Sequence, residues 1–132
     1  MSNEEKAILA VNDAFYQAFA NNDYAAMETL WSSESDVAVI HPGWSPLHGY
    51  RAVMDSWHRL LSAPGATPVV CSEPRVYMMD RTAFVICTES FDETELVATN
   101  IFIRENDGWK LVHHQSGPRP QNSHVTQAES VH

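Results

Sequence analysis

Apolar positions fall into two regimes along the chain, a helical spacing up to about residue 61 and strand-like runs from Val69 onward. In the first regime Ile8, Val11, Phe15 and Phe19 recur on one face. Ser2 with Glu5 makes a capping box, and Asn21-Asn22 breaks the pattern, so a helix is predicted over roughly 3–20. Asp23 suits the cap of a shorter second helix, with Met27, Leu30 and Trp31 on one face before the polar cluster SSESD. VAVI at 37–40 reads as a short buried strand, and HPGWSPLHG at 41–49 follows it. Val53, Trp57, Leu60 and Leu61 then predict a third amphipathic helix that stops at Pro64-Gly65.

The second regime holds four β-rich runs, VVCSEPRVYMM, TAFVICTESF, ELVATNIFIRE and WKLVHHQS, which short turns should join into an antiparallel meander. Asn106-Asp107-Gly108 fits a three-residue hairpin loop with glycine in the left-handed position of a bulge. That loop sets Glu105 opposite Trp109, Ile103 opposite Leu111, Ile101 opposite His113 and Thr99 opposite Gln115. Phe102, Val112, Asn100 and His114 then share the other side, and His113 and His114 enter different faces. The expected fold is α+β, three N-terminal helices packed on a curved, mostly antiparallel sheet. Phe102, Val112 and Ala98 would leave an uncovered face apolar, which predicts a homodimer through the sheet. A strand bulge is the alternative, because it would shift the register and bury those residues. One domain is expected over 1–119, with a polar tail or clasp at 120–132.

Composition narrows the function classes. A chain of 132 residues suits a single core. A net charge of -9 with only eight Lys and Arg offers no basic surface for a phosphate backbone, so nucleic acid is not an expected partner. No long apolar segment is present and the N-terminal stretch lacks a basic flank, so no membrane contact and a cytoplasmic location are expected. Cys71 and Cys87 lie inside strand runs without metal-ligand spacing and read as buried free thiols.

HPGWSPLHG is the stretch richest in candidate chemistry. As a metal site it is poor, since His41 and His48 are seven apart and no tight ligand pair completes them. No metal and no cofactor are expected. As a pocket rim it fits better: Pro42 and Pro46 stiffen it, Gly43 permits a turn, and Trp44 offers an apolar wall. His41 leaves a buried strand there and is a candidate acid/base, the alternative being a structural histidine bonded to a backbone carbonyl. His48 belongs to the helix entrance. The predicted inward faces add Tyr16, Trp31, Met54, Trp57, Tyr77, Glu89, His113 and Gln115, each of which also has a plain core or surface reading. Arg75 is a candidate partner for Glu89 or for an acidic ligand, a surface ion pair being its plain reading.

The element order, HPG with a following glycine and helix, and ATNIFIRENDGWKLVHHQSGP together resemble the SnoaL-like group of the nuclear transport factor 2-like superfamily, over roughly residues 4–119. The chain is also similar to the association domain of calcium/calmodulin-dependent protein kinase II. The resemblance implies a cone-shaped, cystatin-like α+β fold, a deep pocket between sheet and helices, and dimers. It does not imply one reaction, because that superfamily contains isomerases such as ketosteroid isomerase, dehydratases, polyketide cyclases and non-catalytic binding or assembly modules. Relatives often carry a third histidine or an H-x-H pair in the last strand, where this chain reads His113-His114-Gln115. Two functions are therefore carried forward. One is a cofactor-independent enzyme on a small apolar or aromatic molecule, with His41 or His113 as acid/base, Tyr16 or Asn100 polarising an oxygen, and Trp31 and Trp44 excluding water. The other is a ligand-binding or dimerisation module.

Overall fold

The computed structural model describes residues 1–63, 68–106 and 108–120. The Pro64-Gly65 breaker, Asp107 of the hairpin loop and nearly all of the expected tail lie outside those residues. Helix α1 spans Asn3–Ala20, and the predicted capping box is formed: Glu5 N–H donates to the Ser2 hydroxyl and Ser2 N–H donates to the Glu5 carboxylate. Helix α2 spans Tyr24–Leu30, with the Asp23 carboxylate accepting from Ala26 N–H. Trp31 does not extend the α2 face as expected. It sits past the helix end in extended backbone, bridges to Leu111 and is buried.

Strands β1 (Ala38–Ile40) and β2 (Leu47–His48) form a small antiparallel pair around the 41–46 loop. Helix α3 (Tyr50–Ser62) follows Gly49, whose φ of +91° at the N-cap explains a glycine there. The meander is then complete: β3 (Val70–Met79), β4 (Thr82–Phe91), β5 (Thr94–Glu105) and β6 (Gly108–Pro118). The sheet order is β2-β1-β6-β5-β4-β3, antiparallel except that β1 runs parallel to β6. Three helices on a six-stranded, mostly antiparallel sheet is the expected fold class.

The β5–β6 register departs from expectation in an informative way. Near the turn Glu105 pairs with Gly108, Arg104 with Trp109 and Phe102 with Leu111, one residue away from the predicted alignment. Beyond a bulge between Ile101 and Phe102 the predicted pairs hold, Ile101 with His113 and Thr99 with Gln115. Val112 is the extra residue that absorbs the difference. The bulge lets Leu111 share a face with Asn100, Phe102 and His114, and that face is the one the helices cover. Phe102 and Ala98 are accordingly buried in the core, and Val112 packs against it; none forms the uncovered apolar face that was expected. The open face instead carries Tyr77, Phe84, Ile86, Ile101 and Ile103.

Candidate functional site

The covered face of the sheet reads in rows across its strands: Ala83, Phe102 and Leu111; Val85, Asn100 and His114; Cys87, Ala98 and Ser116; then Glu89 beside Leu96. Apolar rows fill the core under α1 and α3, and polar residues gather toward one end. At that end lies a cavity of about 360 Å³. Phe19 of α1, Leu60 of α3, Phe91 and Leu96 of the β4–β5 hairpin, and Trp44 of the 41–46 loop give it an apolar wall. His41, Glu89, His114 and Ser116 supply polar groups and Asp92 sits on its margin, a composition typical of small-molecule sites.

Two short-range constraints place His41. It follows β1 two residues after Val39, which lies beside His114, so both imidazoles project from the same side with ring centroids 6.5 Å apart. Trp44 N–H donates to His41 C=O at 2.9 Å while Gly43 takes a φ of +81°, so the loop folds back and sets Trp44 against the His41 ring. Ser56 Oγ donates to Val53 C=O at 2.7 Å, and its single proton is thereby used. His41 Nε2, 2.9 Å from that hydroxyl, must be the donor, which leaves Nδ1 with the lone pair. Burial lowers the His41 pKa to about 4, so the ring is neutral near pH 7.

His114 is fixed by a deeper network. Asn100 Nδ2 donates to Asn12 Oδ1 at 2.9 Å and to Tyr16 Oη at 3.1 Å, so Asn100 Oδ1 is the acceptor that faces His114 Nδ1 at 2.5 Å. His114 therefore carries its proton on Nδ1 and turns Nε2 toward Glu89 Oε2, 3.7 Å away. Tyr16 Oη donates to Glu89 Oε2 at 2.7 Å and also contacts Cys87 Sγ at 3.3 Å. Burial lowers the His114 pKa to about 3, with His41 and His113 adding to the effect, and burial raises the Glu89 pKa. Burial also raises Tyr16, so the phenol stays a donor. Burial favours the neutral form of the Glu89 carboxyl, and the His114 Nε2 lone pair faces it at 3.7 Å, beyond direct hydrogen-bond distance.

Of the residues predicted from sequence, His41, Trp44 and Glu89 line the cavity, and Tyr16 and Asn100 hold its polar floor from beneath. Trp31, Met54 and Trp57 are core residues behind the wall; Trp57 packs edge-on against His41 with centroids 4.8 Å apart. His113, Tyr77 and Gln115 do not join the site, because alternation puts them on the opposite face of the sheet. His113 instead bonds to Ala38 C=O through Nδ1 at 2.9 Å. Arg75 is on that outer face too and does not reach Glu89. His48 is exposed at the helix entrance. Cys87 is buried but Cys71 only partly, with Asn12 Nδ2 donating to its sulfur at 3.7 Å. His114, Asn12 and Ser116 were missed. The signal was present, since Asn100 and His114 were placed on a shared face, but that face was assigned to the outside. Among the described residues no group of three or more His, Cys, Asp or Glu could hold a metal ion, and no helix is long and apolar enough to cross a membrane.

Fold and cavity together define an α+β domain whose helices cover one face of the sheet, with a small, partly open cavity at one end of that face. The chain matches the SnoaL-like domain over residues 8–120 and belongs to that family. Among solved structures it is similar to a candidate dehydratase of the NTF2-like family from Streptomyces avermitilis, 28% identical with a TM-score of 0.80, covering 87% of this chain and 95% of that one. It is also similar to a candidate calcium/calmodulin-dependent protein kinase type II association domain from Thiobacillus denitrificans, 30% identical with a TM-score of 0.76, covering 85% and 94%. Among curated proteins it matches the F-box protein SKIP8 of Arabidopsis thaliana, 26% identical over 113 residues. The match takes in 84% of this chain and 49% of that protein, so the chain spans about half the length of this curated relative.

Proposed function

We propose that the chain binds a small, largely apolar molecule and moves a proton on it without a cofactor, as an isomerase, dehydratase or cyclase-type enzyme. One observation carries this reading: a buried carboxyl group, a neutral imidazole 3.7 Å from it and a second neutral imidazole all face one mostly apolar cavity. The roles follow from the proton positions. His41 Nδ1, with its lone pair free, takes a proton from a carbon next to a carbonyl or from a hydroxyl. The Glu89 carboxyl, whose proton affinity burial raises, gives a proton to the ligand oxygen, and His114 Nε2 exchanges a proton with Glu89 afterwards. In a dehydration these steps remove one C–H proton, protonate the departing hydroxyl and release water. Tyr16 and Asn100 act as positioning residues, the first by fixing the Glu89 carboxyl and the second by fixing the His114 tautomer. The candidate dehydratase from Streptomyces avermitilis is in keeping with this reading.

Native mass spectrometry of the purified chain identifies a retained molecule, and proton NMR in D₂O then follows exchange at its C–H positions. Glu89→Gln and His41→Gln are expected to stop exchange while the molecule stays bound. Unchanged exchange in both variants would refute the catalytic assignment.

The second reading is an association module, and the open face of the sheet favours it. Tyr77 and Phe84 stack there with centroids 4.7 Å apart, next to Ile86, Ile101 and Ile103. A homodimer through this face would cover it, and the similarity to a candidate association domain agrees with that. The two readings are compatible, because cavity and open face lie on opposite sides of the sheet.

A further inference from the structure

The charge at the cavity restricts what can enter it. All eight Lys and Arg of the chain, Lys6, Arg51, Arg59, Arg75, Arg81, Arg104, Lys110 and Arg119, are among the described residues, and none lines the cavity. Arg59 comes near, stacking 5.5 Å over the Trp44 ring, but it lines a neighbouring groove with Asp55 and Ser56. Arg119 reaches Thr88 and Glu95. Among the described lining residues the ionisable groups are Glu89 and Asp92 with the two imidazoles His41 and His114, which bond through Nε2 to Ser56 and through Nδ1 to Asn100 respectively. Asp92 stands exposed in the β4–β5 turn, so its carboxylate marks the open side of the cavity, while Glu89 is only 2% exposed. Phe19 and Phe91 contribute aromatic rings, whose faces attract cations, while the Trp44 ring is already engaged by Arg59. A negatively charged ligand would give up hydration inside the cavity and pass Asp92 at its mouth, with no Lys or Arg among the described lining residues to compensate.

Resting on the proposed small-molecule site, we infer that its ligand is an apolar molecule bearing a basic amine, with the ammonium held near Asp92 at the aromatic-walled mouth and an oxygen reaching Glu89 and His114 inside. Carboxylates, phosphates and other anionic substrates are excluded. The acidic balance of the whole chain acts in the same direction, concentrating cations at the entrance.

Three probes of one shape test this on the full chain at neutral pH: 2-aminoindane, 2-indanol and indane-2-carboxylate, titrated by NMR. The amine should bind about tenfold tighter than the alcohol, and the carboxylate weakest. In Asp92→Asn the lead of the amine should shrink while the alcohol keeps its affinity, since asparagine also tolerates the φ of +53° at this position. Added salt should shrink the lead as well. If the alcohol binds and the amine gains nothing, or the carboxylate binds as well as the amine, the ligand class is wrong and the cavity reading survives. A lead that persists undiminished in both Asp92→Asn and Glu89→Gln also overturns the inference. If none of the three binds, inference and cavity reading fail together.

Discussion

Glu89, His114 and His41 show how burial sets proton positions, and each leaves a signature in stability. An ordinary histidine titrates near 6.5, whereas burial holds His41 at about 4 and His114 at about 3. As pH falls below 6.5 the unfolded chain takes up these protons and the native chain does not. Stability is then lost at about 1.4 kcal/mol per pH unit per histidine, down to about 4 for one and about 3 for the other. Glu89 has the opposite sign: its raised pKa adds stability below 4.5 that is lost as pH rises through its native value. Urea unfolding followed from about pH 7 to about pH 4 should show a steep decline in the wild type and a shallower one in His41→Gln. Equal slopes would mean that His41 is not neutral in the native state. Glu89→Gln should be no less stable than wild type at neutral pH, since it keeps an acceptor for Tyr16 and cannot ionise; a large loss of stability would show that the carboxylate itself is structural. Of these residues His41 and Glu89 stand out in the sequence as candidates, and the fold brings both to the cavity. His114 does not stand out, because two adjacent histidines on a strand are equivalent until the facing of the strand is known.

That facing is decided by one residue of β6. Val112 is unpaired in the β5–β6 ladder, and its presence lets Trp109 and Leu111 near the turn share the covered face with His114 beyond it. An unbroken alternation counted from the turn misses this residue, and a one-residue slip exchanges the two faces. Helices were easier to read, because each carries its own signals: a capping box for α1, Asp23 for α2, and Gly49 before α3. A bulge has no such local mark and exists because two distant rows must both reach the core. Deleting Val112 should straighten the ladder and turn either the Trp109–Leu111 segment or the His114–Ser116 segment outward. The expected cost is about 5 kcal/mol or more, comparable to the whole stability of a small domain. Circular dichroism and thermal melting of the deletion should therefore show an unfolded or molten chain. A cooperative transition near the wild-type midpoint would contradict this account of the bulge. At the other end of the scale, Ser2→Ala removes one cap hydrogen bond and should cost about 1 kcal/mol in the same melts.

At the scale of the molecule the helices cover one face of the sheet, and the other carries an apolar patch of Tyr77, Phe84, Ile86, Ile101 and Ile103 among polar residues. The sequence predicted a dimer for that reason but named Phe102, Ala98 and Val112, which the bulge brings to the core side. A dimer through the sheet would instead rest on Tyr77, Phe84, Ile86, Ile101 and Ile103, which face outward. Ile101 is the central choice, since it lies in β5 between Phe84 and His113 and its side chain is remote from the cavity. A net charge of -9 on each chain opposes association, so a dimer held by this face must draw on apolar contact and should tighten with added salt. Light scattering coupled to gel filtration should give twice the chain mass for wild type, and Ile101→Glu should give the chain mass with an unchanged circular dichroism spectrum. The variant should still bind whatever the wild-type cavity binds, because the substitution adds charge to the far side of the sheet. A monomeric wild type at micromolar concentration would remove the dimer, and loss of cavity binding in a folded Ile101→Glu monomer would show that the two faces are coupled rather than independent.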